Sequence, residues 1–106
     1  MDNFTTLYKI LKALEKAMDY DEFDMDTVSA ERLKISENRL ARLWEMLWRE
    51  GYVDGVTVQY SAGGEVLLSL NNPRITLKGL EYLGENSLMQ KAAKLAKGIK
   101  DTIPGL

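Results

Sequence analysis

The chain has 106 residues, of which 45% are hydrophobic and 28% are charged, and its formal net charge is −2. These values are ordinary for a single globular domain, here residues 1–106, and the length allows one hydrophobic core. The sequence contains no cysteine and no histidine. It therefore excludes disulfides, thiolate chemistry and the commonest general base and zinc ligand. Because no catalytic or metal-binding motif organises the remaining residues, we expect a protein without a cofactor that is not an enzyme.

The N-terminal segment is apolar on one face only. Apolar residues at steps of three and four predict a first helix over residues 3–19, capped by Asp2 or Asn3. Lys9, Lys12 and Glu15 interrupt the segment, whereas a secretion signal or a transmembrane helix needs an unbroken apolar stretch. We therefore expect a cytoplasmic protein that does not enter a membrane.

Acidic residues are concentrated between positions 19 and 26. A calcium-binding loop beginning at Asp19 would need a glycine at its sixth position and a glutamate at its twelfth, where this chain has Asp24 and Ala30. We therefore interpret the segment as a solvated loop in which Asp24 or Asp26 caps a second helix over residues 26–33.

The most strongly marked helix is predicted for residues 37–50, with Ser36 as its N-cap and Gly51 as a left-handed residue that ends it. A rotation of about 100° per residue separates an apolar face from a polar one. The apolar face contains Leu40, Leu43, Trp44 and Leu47, and the polar face contains Asn38, Arg42, Glu45 and Arg49.

Beyond Gly51 the apolar residues alternate with period two, which predicts a hairpin with strands at about 53–60 and 66–71. A shared apolar face requires Val58 to lie opposite Leu68 and Tyr60 opposite Val66. The sequence Asn71-Asn72-Pro73 is typical of a turn, which we expect to close the hairpin.

Two further helices are predicted, over residues 77–84 and 88–100. Thr76 is the expected N-cap of the first, and Gly79 within it indicates a close approach of another backbone. Apolar stripes are expected in both helices, formed by Leu77, Leu80 and Leu83 and by Leu88, Ala92, Leu95 and Ile99. Lys91, Lys94 and Lys97 lie on the opposite face of the last helix.

This order predicts a mainly α-helical α+β fold with a small antiparallel hairpin. The run ERLKISENRLARLWEMLWREGYV resembles the helix-turn-helix of bacterial winged-helix proteins, and ITLKGLEYL resembles the segment that follows their wing. With FTTLYKILKALEKAMDYDEFD and LMQKAAKLAKGIKDTIPG included, the chain resembles the YjcQ family of Gram-positive bacteria and their prophages. The resemblance implies a winged helix-turn-helix with an extra C-terminal helix, and it implies no active site.

A winged helix would place the N-terminal half of the 37–50 helix in the major groove of double-stranded DNA. Arginine can read guanine and asparagine can read adenine. The hypothesis is a prophage-associated transcriptional regulator whose DNA contacts are Lys34, Ser36, Asn38, Arg39, Arg42 and Arg49.

Other features weaken this hypothesis. The predicted wing tip, Ser61–Glu65, has no lysine or arginine, and Glu37 and Glu45 would repel phosphates. The lysines of the last helix could follow a DNA backbone, but a solvated helix face would carry the same residues. The polar face of the 37–50 helix has the same alternative interpretation.

Met46 and Trp48 favour a second class of function. They widen the apolar stripe of their helix, and they require a cover from the last helix or from another protein. The alternative is therefore a winged-helix protein-interaction module, either a prophage accessory protein or a dimerising adaptor, that does not bind DNA.

Overall fold

The computed structural model describes residues 2–98 as five α-helices and one two-stranded antiparallel hairpin. This arrangement confirms the predicted α+β class. Within these residues, no helix is both long and apolar enough to cross a membrane. The helices are α1 (Asn3–Lys16), α2 (Ala30–Leu33), α3 (Glu37–Arg49), α4 (Leu77–Glu85) and α5 (Ser87–Ala96), and the strands are β1 (Val53–Tyr60) and β2 (Val66–Ile75).

Polar side chains cap the helices by accepting hydrogen bonds from backbone N–H groups in the first turn of each helix. The Asp2 carboxylate accepts a hydrogen bond from the Thr5 amide at 2.8 Å, and this bond lowers the pKa of Asp2. Ser36 accepts from the Arg39 amide at 3.0 Å. The predicted caps Thr76 and Asn86 are also in place at α4 and α5.

The helix predicted over residues 26–33 is divided in two. Residues Met25–Val28 form a 3-10 turn capped by Asp24, and α2 begins only at Ala30. The backbone of Ser29 is extended, with φ −66° and ψ 155°, and its hydroxyl accepts from the Arg32 amide at 3.2 Å. The division follows because a serine that caps a new helix cannot continue the previous one.

The hairpin has the predicted register, with Val58 opposite Leu68 and Tyr60 opposite Val66. The turn predicted at Asn71-Asn72-Pro73 is wrong, because β2 continues through these residues to Ile75. They form a bulge instead: between the paired positions Asp54/Arg74 and Val56/Leu70, a single residue of β1 faces three of β2.

Residues typical of turns form this bulge. Gly55 and Asn72 both have positive φ, 76° and 51°. A Cβ at Gly55 would lie 2.8 Å from the carbonyl oxygen of Asn71. The Asn72 side chain accepts a hydrogen bond from the Phe23 amide at 3.1 Å. The bulge therefore also fastens the acidic loop (residues 19–26) to the hairpin.

The core lies around α1, which packs against α4, α5 and β2. Three of the four predicted core residues of α3, namely Leu43, Trp44 and Leu47, are buried, and Leu40 packs against them while partly exposed. The apolar stripes of the C-terminal helices differ from the prediction. Leu77, Leu88 and Leu95 are exposed, the buried residues of α5 are Met89 and Ala92, and Ile99 lies outside the described residues.

Candidate nucleic-acid interface

The N-terminal half of α3 presents a polar ridge to solvent. Asn38 and Arg42 are exposed and lie four residues apart, so their side chains occupy the same helix face one turn from each other. Within residues 2–98, neither side chain forms a hydrogen bond or an ion pair with another residue. Their donor groups therefore face solvent.

Two of the three residues that flank this ridge use their side chains in hydrogen bonds within the chain. The Arg39 guanidinium donates to the Asn3 side-chain oxygen at 3.2 Å, which ties α3 to the start of α1. Lys34 is exposed and adopts a left-handed conformation with φ 57° and ψ 43° at the end of α2. Ser36 uses its hydroxyl oxygen as the N-cap of α3.

The C-terminal half of α3 is fastened to the hairpin by the Glu45–Tyr60–Arg49 cluster. Arg49 donates to the Tyr60 hydroxyl at 2.9 Å and to the Glu45 carboxylate at 3.4 Å, and the Tyr60 hydroxyl also donates to Glu45. The interaction with Tyr60, chiefly the hydrogen bond, raises the pKa of Arg49, and the charge of Glu45 adds to this effect. Because Glu45 neutralises Arg49, the structure separates this residue from the exposed cations nearer the N-terminus of α3.

The same cluster changes the role predicted for Glu45. The Glu45 side chain is only 13% exposed, so it points toward the hairpin rather than across the polar ridge. The repulsion of phosphates expected from this carboxylate is therefore reduced by its two partners. The alternation of Tyr60 with Val58 predicted only that Tyr60 shares the inner face of the hairpin, and nothing in the sequence pairs its hydroxyl with α3.

A groove of about 560 Å³ separates the N-terminal half of α3 from the inner face of β2. Asn38 and Ala41 line one wall, and Leu68 and Leu70 line the other. The hairpin thus stands apart from α3 at Asn38, whereas it contacts α3 at Glu45. This divergence leaves the polar ridge open on its hairpin side.

The hairpin tip is closed by its own polar groups. The Ser61 amide donates to the Glu65 carbonyl at 2.9 Å, and the Glu65 amide donates to the Ser61 hydroxyl at 3.0 Å. The five tip residues include no cation. The tip therefore offers no positive charge to a phosphate.

Met46 and Trp48 are both accessible, with 52% and 38% of their surface exposed. Residues two apart on a helix project in nearly opposite directions, so these side chains do not form one continuous patch. Helix α5, one of the two covers expected for Met46 and Trp48, packs against α1 and α4. Its lysines Lys91, Lys94 and Lys97 are exposed.

No group of three or more acidic residues is arranged to hold a metal ion in the part of the chain that the structure describes. The acidic residues near the bulge act within the chain instead: Asp24 caps a 3-10 turn, and Asp26 lies 3.7 Å from Arg32.

The geometry defines a small α+β domain with an exposed basic and amide-bearing helix face. The chain belongs to the family described as YjcQ protein, which residues 8–102 match. It is 36% identical over 97 residues to "Uncharacterized protein YjcQ" of Bacillus subtilis (strain 168), and the match covers 91% of this chain and 92% of that protein. No solved structure matches the chain significantly.

Proposed function

We propose that this protein is a winged-helix DNA-binding protein, in the role of a transcriptional regulator, that inserts the N-terminal half of α3 into the major groove. The observation that carries the proposal is the exposed pair Asn38 and Arg42, one helical turn apart and without partners within residues 2–98. Helices α2 and α3 supply the helix-turn-helix, and the hairpin supplies the wing.

The chemistry of the ridge supports reading of bases. A guanidinium can donate two hydrogen bonds to guanine O6 and N7, and a carboxamide can pair with adenine N6 and N7. Lys34 and Arg39 flank the pair and are suited to phosphates. Arg49 contributes less than the sequence predicts, because Glu45 balances its charge.

The proposal makes a specific prediction for Arg42→Ala. Loss of a base-reading arginine weakens specific binding by about 1–3 kcal/mol. Loss of a phosphate contact instead lowers the slope of log affinity against log salt concentration by about one. Genomic fragments bound by the protein at low salt can be selected first, and fluorescence anisotropy can then measure their affinity across a salt series.

Arg74→Ala is the matched control, because Arg74 is exposed on β2 and forms no ion pair within the described residues. It removes the same charge from another part of the surface. The proposal fails if no fragment binds at low salt, or if the two variants lose the same affinity.

Exposed Met46 and Trp48 support a second candidate, a protein-interaction module that forms a homodimer. Contiguous exposed apolar patches mark interfaces, whereas single exposed apolar side chains are common on any protein surface. Since the two project in different directions, each would belong to a different contact. We place the dimer contact at Met46, the more exposed of the two.

A further inference from the structure

A second groove, to which no residue of α3 contributes, lies between α1, the acidic loop and α2. Its volume is about 890 Å³, within the range typical of small-molecule sites. The C-terminal end of α5 contributes Ala96 and the C-cap residue Lys97 to its lining.

The floor of this groove is apolar and partly aromatic. Tyr8 is buried in the core, and Phe23 and Ala13 pack against the core from the groove side. Leu33 and Ala96 complete the floor from α2 and α5. A flat apolar molecule would find aromatic and aliphatic surface on this floor.

The rim of the groove is basic. Lys9, Lys12 and Lys16 follow one face of α1 at steps of three and four, and Arg32 and Lys97 approach from the other walls. Two acidic residues, Glu22 and Asp24, also line the groove, so five formal positive charges surround two negative ones. The local balance of +3 contrasts with the net charge of −2 for the whole chain.

Part of this positive charge has no internal counterpart. Lys12 is 2.6 Å from Glu15, and Arg32 is 3.7 Å from Asp26. Within residues 2–98, Lys9 and Lys16 form no ion pair. The uncompensated lysines stand two turns apart beside the apolar floor.

We propose that this groove binds a small organic anion, with its flat apolar body on the floor and its carboxylate toward the lysine row of α1. An apolar cavity with a few charged groups on one side matches the general form of such sites. The proposal rests on this groove alone and does not depend on whether α3 binds DNA.

The test uses 1-naphthoate as the probe and 1-naphthamide, which has the same ring system and no charge, as its counterpart. In titrations of the full ¹⁵N-labelled chain, we expect naphthoate to shift the backbone resonances of Lys9, Lys16, Phe23 and Leu33. The binding free energy per non-hydrogen atom that is ordinary for small ligands corresponds, for naphthoate, to a Kd on the order of 1 mM. Naphthamide should bind more weakly by about 5-fold.

The double variant Lys9→Gln/Lys16→Gln should weaken naphthoate binding by about 5-fold, because each exposed charge contributes modestly. Lys91→Gln/Lys94→Gln makes the same change in charge on α5 outside the groove and should leave the Kd unchanged. The amide spectra of both variants report whether the fold is intact. Equal binding of the amide, equal effects of the two double variants, or shifts spread over the whole surface would overturn the proposal.

Discussion

At the scale of one residue, a tertiary contact explains why a glycine occupies position 79 inside a helix. A Cβ added there would lie 2.7 Å from the Ile75 Cγ1 atom and closer still to the carbonyl oxygen of Tyr52. The same carbonyl accepts the Thr76 amide at 3.1 Å, and the Tyr52 ring stacks on Tyr82 at 4.5 Å. Glycine is therefore required for α4 to dock on the residue that precedes β1.

For Gly79→Ala we expect a lower free energy of unfolding, by about 1–3 kcal/mol, because the new methyl group forces α4 away from Tyr52. Gly84→Ala is the control. Gly84 lies in the same helix, but no atom of residues 2–98 outside its own helical turn stands within 4 Å of its added Cβ. This change should raise stability by about 0.5–1 kcal/mol through helix propensity. Denaturant titration of both variants would contradict the argument if their effects had the same sign.

At the scale of elements, α3 has two halves with different surroundings. Its C-terminal half is joined to β1 by the Glu45–Tyr60–Arg49 cluster, and its N-terminal half is open beside the groove to β2. The cluster determines which part of the polar face is available to a partner.

Tyr60→Phe tests this role of the cluster. The variant removes one hydroxyl that bonds both charged partners. We expect the free energy of unfolding to fall modestly, because these hydrogen bonds are open to solvent. Tyr20→Phe is the matched control, because Tyr20 is exposed and its hydroxyl bonds no other described residue. Chemical denaturation should therefore distinguish the two variants. Equal stability would mean that the cluster adds nothing to the docking of the hairpin.

At the scale of the whole molecule, the proposed homodimer depends on apolar surface outside the core. Sedimentation at micromolar concentrations should detect a species heavier than one chain, and Met46→Lys should shift it toward monomer by placing a charge in the contact. Leu67→Lys is the control, because it introduces the same charge on the hairpin. Leu67 is 48% exposed, similar to the 52% of Met46. A wild-type protein that sediments as a monomer throughout, or equal effects of both variants, would remove the dimer.

Much of the architecture could be predicted from the amino-acid sequence because it depends on neighbours a few residues apart. Ser36 and Thr76 cap their helices through amides three residues later, and Gly51 takes the expected left-handed conformation. The hairpin register follows from alternation, since a slip of one residue would expose the apolar side of β2.

The surroundings of the candidate site depend on contacts between segments distant in sequence. Local sequence patterns do not predict such contacts. Arg49 meets Tyr60 across the turn into the hairpin, and Phe23 meets Asn72 across 49 positions. Turn propensity at Asn71-Asn72-Pro73 was satisfied by a bulge because pairing with β1 continued beyond it. Periodicity thus identified α3 and its two faces, whereas long-range packing decided which of its charges are neutralised and which face solvent.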